Sequence, residues 1–468
     1  MLDTTLIETP TQTKRVTLSA TIVSYSMPCP HVSLDHFLKE AAGRPRIYWQ
    51  SDHLPVCLAG SGIAAAFSAG GPHRFRAIQQ QAEQLFKQIV WVDRDVPVET
   101  GPRLFGGFAF APQPPATGPW AAFPEAMFIL PRYQLTCLGE QTWLTVNRRV
   151  DTTDDPAGLA RRVRQEARQA IAALQVVNGH NRTSGRSHQQ LQVSDLMSQT
   201  TWEEMVVAAT RRIRRGELDK VVLARARQVN STHPIDPAIV LARLARRYPD
   251  CYRFLFEPRP GHTFFGATPE LLAEVTGSTV RTMAMAGSIR RGRSAEEDTA
   301  LGQQLRADPK ERHEHALTVE AIRESLEPLV THLRFQAEPE LCRLSNIQHL
   351  KTVIEGQLTG QGGILPVIEA LHPTPAVGGR PRKTALEMIA AQEPTPRGWY
   401  AAPIGWLDHR GNGLFAVALR SAVSVGQQSW LFAGAGIVAD SVPRKEWDET
   451  ELKFKPMLDA LAEDNLEG

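Results

Sequence analysis

The stretch "LDKVVLAR", residues 218 to 225, sets a lysine at the head of an apolar, β-branched run, and the layout of the chain is read outward from it. Val221, Val222 and Leu223, bounded upstream by Gly216, have the composition of a short strand. Side chains alternate between the faces of a strand, so Lys220 shares a face with Val222, Ala224 and Ala226, while Arg225 and Arg227 share the other with Val221 and Leu223. The lysine is aimed at small, apolar neighbours. Two readings follow. Burial disfavours the charged ammonium, lowers its pKa and makes Lys220 a candidate general base. Alternatively, the lysine sits at the strand end and snorkels into water.

Around this strand the pattern alternates between helix and sheet. Upstream, Thr200 or Thr201 followed three places on by Glu203 or Glu204 is a capping-box signature for a helix running to about residue 215. Downstream come a helix in "DPAIVLARLARRY" and strands in "YRFLFE", "HTFFGA" and "LLAEVTG". A long helix is expected over about 309–330, where Ala316, Val319, Ile322, Leu326 and Leu329 keep helical spacing. "LFAVALRSAVSV" and "SWLFAGAGIV" read as late strands before a final helix from about Lys445. The first 175 or so residues offer strands such as "RVTLSATIVSY" and "TWLTV", and helices such as "HRFRAIQQQAEQLFKQI" and "PAGLARRVRQEARQAIAALQ". The polar, aperiodic "VNGHNRTSGRSHQQ", 177–190, is expected to be an exposed loop between an N-terminal part, 1–176, and a second part, 191–468. Strands and helices in grouped runs predict an α+β fold, with antiparallel sheets and helices packed outside.

Composition narrows the function. The 468 residues, 42% hydrophobic and 22% charged, belong to an ordinary globular chain with ample core. A formal net charge of +2 gives no electrostatic footprint for nucleic acid or an anionic membrane, and the pairs Arg211-Arg212, Arg214-Arg215 and Arg246-Arg247 read as solvated helix faces. Cys29, Cys57, Cys137, Cys251 and Cys342 are odd in number and form no CxxC, against both a disulfide framework and a thiolate metal site, so a reducing cytoplasm is expected. Asp3 and Glu8 interrupt any apolar leader, and the uncharged stretch 54–72 is broken by glycine and proline, so neither a secretory signal nor a membrane span is expected.

Three motifs could carry chemistry. In "GATPELL", 266–272, a strand ending in Gly and Thr-Pro delivers Glu270 at a turn between Pro269 and Leu271, where desolvation would raise a carboxyl into general-acid range; the alternative is an ordinary glutamate. In "KERHEHALTVEAI", 310–322, His313 and His315 fall on nearly opposite sides of a helix and cannot chelate one metal. Glu311 and Glu314 are plausible hard-cation ligands there, although a solvated acidic first turn accounts for Glu311, and Glu314 lies closer to the apolar face. In "KEWDETELKFK", 445–455, Glu446, Glu449 or Thr450, and Lys453 share a helical face, which is often surface decoration. Their neighbour "FAGAGIV" is glycine-rich, where backbone amides can approach a ligand closely. A carboxylate-bearing substrate clamped by backbone amides, Lys453 and a glutamate-bound Mg2+ would use all of these. "GSGIAA", 60–65, lacks a convincing βαβ context for a dinucleotide, "GQGGILPVIEAL" has no P-loop lysine, and no GxSxG elbow is present.

Together "DKVVLAR", "FFGATPELL", "MAGS", "KERHEH", "LHPTPAVGG", "AGAGIV" and "EWDETELKFKPML", in this order over about 200–460, resemble the chorismate-utilising enzymes, with "FGGFAF" (105–110) and "FILPR" (128–132) extending the match. The resemblance implies one large fold of two packed antiparallel sheets with helices outside, with 191–468 as the chorismate-binding catalytic part. It implies Mg2+ held by Glu314 and Glu449 with Glu446 close by, Lys220 as the base that activates water, and Glu270 as the acid that protonates a departing C4 hydroxyl. Arg420 in "VALRSA", Lys453 and the backbone at Gly287 and Gly434 would bind the carboxylates, and His349 in "IQHLKT" would be a further site residue. Amine-installing relatives typically lack a lysine at the position of Lys220, and one group of them carries a lysine where Ala286 stands. With Ala376 and Val377 in "HPTPAVGG", the resemblance is to the isochorismate synthase branch, of the menaquinone or phylloquinone type, as a monomer or homodimer. The alternatives are a salicylate synthase, which adds pyruvate elimination, and a catalytically silent chorismate-binding protein. One departure is "YAAPIGW", where Ala402 replaces a common glycine.

Overall fold

Period-two alternation divides the strands between two buried clusters. Phe254 and Phe256 pack into one, Leu255 between them into the other, and Phe264 and Phe265 divide in the same way. Strands apolar on both faces must be covered on both. The structure, a computed structural model of the chain, describes residues 21–52, 56–93, 95–112, 118–150, 156–176, 190–360 and 362–462.

Two sheets carry the fold. Across the first, neighbouring strands run Leu191–Asp195, Lys220–Ser231, Gln428–Ile437, Ser421–Val425, His262–Thr268, Tyr252–Arg259, Arg46–Gln50, Val56–Ser61, Tyr133–Leu138, Gln141–Val150, Thr21–Pro28 and Ile89–Trp91. Across the second they run Val330–Phe335, Ile347–Leu358, Thr279–Arg290, Leu271–Thr276, Gly413–Val417, Pro403–Asp408, Arg103–Phe108, Ala126–Leu130 and Ala65–Ala69. Among the described strands every pairing is antiparallel except that of Thr21–Pro28 with Ile89–Trp91 at one edge, which is parallel. One cluster joins both sheets, through residues such as Phe105, Phe128, Phe264 and Phe415. The other lies beneath helices on the first sheet, with Leu34, Val163, Leu241 and Phe454 facing it. The fold is α+β, as its grouped elements predict. No described helix is long and apolar enough to cross a membrane.

Strands from before and after the expected 177–190 loop share both sheets: Phe254 pairs with Trp49 in the first, and Gly405 with Gly106 in the second. That loop, apart from Gln190, lies outside the described residues. Several element ends differ from expectation. The helix Gln199–Arg214 is capped by Ser198, whose hydroxyl accepts from the amide of Thr201, so the cap precedes the threonines. Asp308 caps Pro309–Leu326, which stops before Val330 because that residue opens a strand. The final helix, Pro443–Leu461, begins two residues ahead of Lys445.

The largest difference is in "LFAVALRSAVSV", which is two strands. Gly413–Val417 belongs to the second sheet and Ser421–Val425 to the first, and the chain crosses between them at Arg420, whose φ is +47°. The neighbouring link does the same in reverse: His262–Thr268 lies in the first sheet, Leu271–Thr276 in the second, and Pro269 and Glu270 make the crossing. The two crossings are tied together. The hydroxyl of Thr268 donates to the Val417 carbonyl (2.6 Å), the Val417 amide to the Glu270 carbonyl (3.0 Å), and the Ala267 amide to the Arg420 carbonyl (3.1 Å). Glu270 and Arg420 are thereby fixed side by side along the seam between the sheets.

Candidate active site

A cavity of about 830 Å³, counting its mouth, opens at this seam. All ten residues singled out in the sequence line it: Lys220, Glu270, Gly287, Glu314, His349, Arg420, Gly434, Glu446, Glu449 and Lys453. The lysine strand supplies one wall, the two crossings another, and the helices Pro309–Leu326 and Pro443–Leu461 the acidic remainder.

Lys220 is 1% exposed, so it does not snorkel into water. Nor does it stand in an apolar pocket, since its Nζ lies 2.8 Å from Glu314 Oε1. The small neighbours foreseen on its face admit a carboxylate from another element, so the lysine's surroundings are ionic. Glu270 is 5% exposed, and burial pushes its carboxyl up to about 7 against the pull of the Lys220, Lys453 and Arg420 charges. A carboxyl in that range holds a proton at neutral pH that it can give away.

The acidic side is more crowded than the sequence suggested. Glu311 is no solvated first-turn residue: it lines the cavity, accepts the Ser288 amide at 2.9 Å, and has its pKa raised by burial and by Glu314. Its i, i+3 spacing to Glu314 was the available signal. Gly287, beside Ser288, has φ +77°, and a Cβ there would stand 3.2 Å from the Glu311 carbonyl. Glu446 is 4% exposed, which excludes surface decoration, and burial followed by the charge of Glu449 pushes it up to about 7. Burial would raise Glu449 as well, but the Lys453 ammonium, hydrogen-bonded to it, outweighs burial and holds it below the usual carboxylate range. Lys453 also donates to the Gly434 carbonyl at 3.0 Å. Lys310 stands 3.6 Å from Glu311 and 3.9 Å from Glu446.

The cationic side meets the acidic side across His349 and Arg420. Nδ1 of His349 lies 3.3 Å from the Gly287 carbonyl. A carbonyl only accepts, so Nδ1 carries the proton and Nε2 is left an acceptor. Burial, with the Arg420 and Lys453 charges, pushes His349 down to about 3, and the ring is neutral. Arg420 is 9% exposed, and among the described residues no carboxylate pairs with its guanidinium and no hydrogen bond holds it. A buried guanidinium without a partner is prepared for a ligand anion. Arg397, Tyr400 and Lys310 also line the cavity and were missed, the first two because they become neighbours only through long-range packing. Tyr400 stacks on Phe432 (5.1 Å between ring centroids), and burial raises its hydroxyl to about 12.

Among the described residues no three His, Cys, Asp or Glu side chains stand close enough together to hold a metal as they are arranged. The donor chemistry nevertheless suits a hard divalent cation. Glu311, Glu314, Glu446 and Glu449 offer carboxylate oxygens from two helices to one space, and Mg2+ needs only one or two protein carboxylates beside waters and ligand oxygens. The raised carboxyl of Glu446, with like charge among its causes, is the crowding a dication would relieve.

Comparison with known proteins gives a consistent answer. The family described as chorismate binding enzyme matches residues 9–462. The chain is 39% identical over 426 residues to the salicylate biosynthesis isochorismate synthase of Pseudomonas aeruginosa, covering 89% of this chain and 85% of that protein. It is 35% identical over 450 residues to the isochorismate synthase MenF of Bacillus subtilis, covering 94% of each. Among solved structures, the menaquinone-specific isochorismate synthase MenF of Escherichia coli superimposes with a TM-score of 0.77 at 27% identity, over 94% of this chain and 96% of that one.

Proposed function

Since the chain belongs to the chorismate binding enzymes, we propose that it is an isochorismate synthase, a Mg2+-dependent isomerase that converts chorismate reversibly to isochorismate. Lys220, in its neutral form, takes a proton from the water that attacks C2 of the ring. The double bonds shift, the C4–O bond breaks, and Glu270 gives its proton to the departing hydroxyl, which leaves as water. One water enters and one leaves, so the reaction is an isomerisation. Arg420, Lys453 and the backbone at Gly287 and Gly434 hold the carboxylates, and neutral His349 adds a fixed hydrogen-bonding group without a charge. Glu314 and Glu449 would hold Mg2+, with Glu446 and Glu311 beside them; the ion supplies a positive charge that neutralises a substrate carboxylate.

The observation that carries this reading is that one cavity brings together a buried lysine, a carboxyl raised to about 7 and an arginine without a partner. That is an acid and base pair with an anion clamp, the set needed to exchange one hydroxyl for another on a dianionic ring. Nearly full-length similarity to the two MenF proteins supports a product destined for quinone synthesis, menaquinone or phylloquinone, while the Pseudomonas relative's name attaches the same product to salicylate. Incubation with chorismate and Mg2+, with and without EDTA, followed by chromatography, tests the proposal. Isochorismate is expected beside residual chorismate, and is expected to vanish with EDTA. Salicylate with pyruvate would move the protein to the elimination branch, and binding without product would make it a silent relative.

A further inference from the structure

The strand Gln428–Ile437 runs antiparallel to the lysine strand, with Gly436 directly opposite Val222 and Gly434 opposite Ala224. Directly opposed residues point to the same face, so position 436 faces the cavity with Lys220 and Val222. Gly436 is not among the glycines with left-handed φ. Its backbone would suit any L-residue, and no turn requires glycine there. What requires it is space: a Cβ built on Gly436 would stand 2.9 Å from Glu314 Oε1, 3.0 Å from Lys220 Cε and 3.5 Å from Lys220 Nζ.

Other glycines near the site behave differently. A Cβ on Gly379 would lie 2.3 Å from the backbone carbonyl of Lys220, and one on Gly434 would lie 3.0 Å from that of Leu223. Side chains at those positions would press on the sheet itself. At Gly436 the three nearest atoms are the far ends of two flexible side chains, and those two ends form the 2.8 Å ion pair. Added bulk can be absorbed without moving the backbone, but only by displacing the end of the Lys220 side chain, pushed at Cε, and the Glu314 carboxylate.

We propose that Gly436 is a positioning residue, and that the space of its missing side chain seats the Lys220–Glu314 ion pair and so sets where the base stands. The proposal rests on the reading of Lys220 as the base. Gly436→Ala tests it by forcing both side chains back toward the 3.4–4 Å of ordinary contact. Misplacement of a reacting group by up to an ångström costs as much as about a hundredfold, so kcat is expected to fall by roughly 10- to 100-fold. At saturating Mg2+, KM for chorismate should stay within about threefold, because Arg420 and Lys453 are untouched; the displacement of Glu314 is read separately, as a higher Mg2+ concentration needed for half-maximal turnover.

Lys220→Ala and the double variant complete a cycle read both by turnover and by thermal unfolding. Any loss of melting temperature caused by Gly436→Ala should shrink or disappear in the Lys220→Ala background, where the side chain it displaces is gone and Glu314 is free to move. If Lys220→Ala abolishes turnover while Gly436→Ala keeps kcat within about twofold, the seat is overturned and the base is not. An equal loss of melting temperature in both backgrounds also overturns it, since the Cβ would then be acting on the sheet. If the parent protein makes no isochorismate, the reading of the site fails, and the unfolding cycle still decides whether the lysine sits on Gly436.

Discussion

Two buried cations stand on opposite faces of the strand Lys220–Ser231, and they are treated in opposite ways. The Arg225 side chain is fully buried, and its donors are taken: Nε by the Thr450 hydroxyl (2.8 Å), one Nη by Asp195 (2.6 Å), and the other by Glu451. Its guanidinium also lies 3.6 Å over the Trp447 ring, and Arg227 shares the same two carboxylates. Lys220, five residues earlier on the other face, has one carboxylate partner and otherwise lines the cavity. A cation that holds structure together has its hydrogen bonds filled from within the protein. One that serves chemistry keeps capacity for a ligand.

Exchanging the roles in experiment is the most direct way to break this comparison. Lys220→Ala should lower isochorismate formation by about 10²–10⁴-fold, the usual contribution of a general base. The cost in stability should be small, because Glu314 borders a cavity where water can replace the ammonium. Arg225→Met should do the reverse. Losing its contacts with Thr450 and Trp447 and one of the two guanidiniums on Asp195 and Glu451 is expected to cost about 2 kcal/mol in denaturant unfolding, less than for a stranded buried charge because Arg227 still pairs with both carboxylates, while the folded fraction keeps its turnover. Equal losses of stability in the two variants would end the distinction.

Glu270 extends the contrast to acids. Its carboxyl sits at about 7 through burial, and a general acid must enter the reaction protonated. Turnover toward isochorismate should therefore fall as pH rises through about 7, and Glu270→Gln should lose about a hundredfold and that limb of the profile with it. The same shift has a stability consequence. With the folded pKa above the ordinary 4.5, the proton on Glu270 favours the folded state fully below pH 4.5, and this contribution is lost as pH rises to about 7. The glutamine variant should accordingly gain stability relative to the parent across that window, measured by thermal melts at several pH values.

Much of this was legible in the sequence because it is local. The strand of Lys220, the helical faces of Glu314 and of Glu446, Glu449 and Lys453, and the turn that delivers Glu270 are each set within a dozen residues, and motif order tied them to one family. What was not legible depends on distance. Periodicity in "LFAVALRSAVSV" reports strand without reporting which sheet, so the crossing at Arg420 and its left-handed backbone were invisible. Glu311 passes for a solvated first-turn residue until Ser288 is brought to it from the strand Thr279–Arg290. The ionic partner of Lys220 lies 94 positions further along the chain, and no spacing rule relates the two.

Arg397 and Arg420 sharpen the comparison at its smallest scale, because both line the cavity and only one is satisfied. Arg397 is held by Glu393 through Nε (2.8 Å) and donates to the carbonyls of Val377 and Val222 (2.8 Å each), with its guanidinium 4.2 Å from the centre of the Phe110 ring. It ties the "TPAV" wall to the lysine strand and has nothing left to offer a substrate. By the rule drawn from Arg225 it is structural despite its position, and by the same rule Arg420 is the proposed binding group. Arg420→Lys should raise KM for chorismate by about tenfold, equivalent to about 1.4 kcal/mol, since an ammonium cannot reproduce a two-pronged contact with a carboxylate, and the melting temperature should hardly move. Arg397→Lys should lower the melting temperature and leave KM within about twofold, because the lost bonds are all internal. A rise in KM for Arg397→Lys that matched the rise for Arg420→Lys would mean that proximity to the cavity, and not unfilled bonding capacity, decides which cations bind.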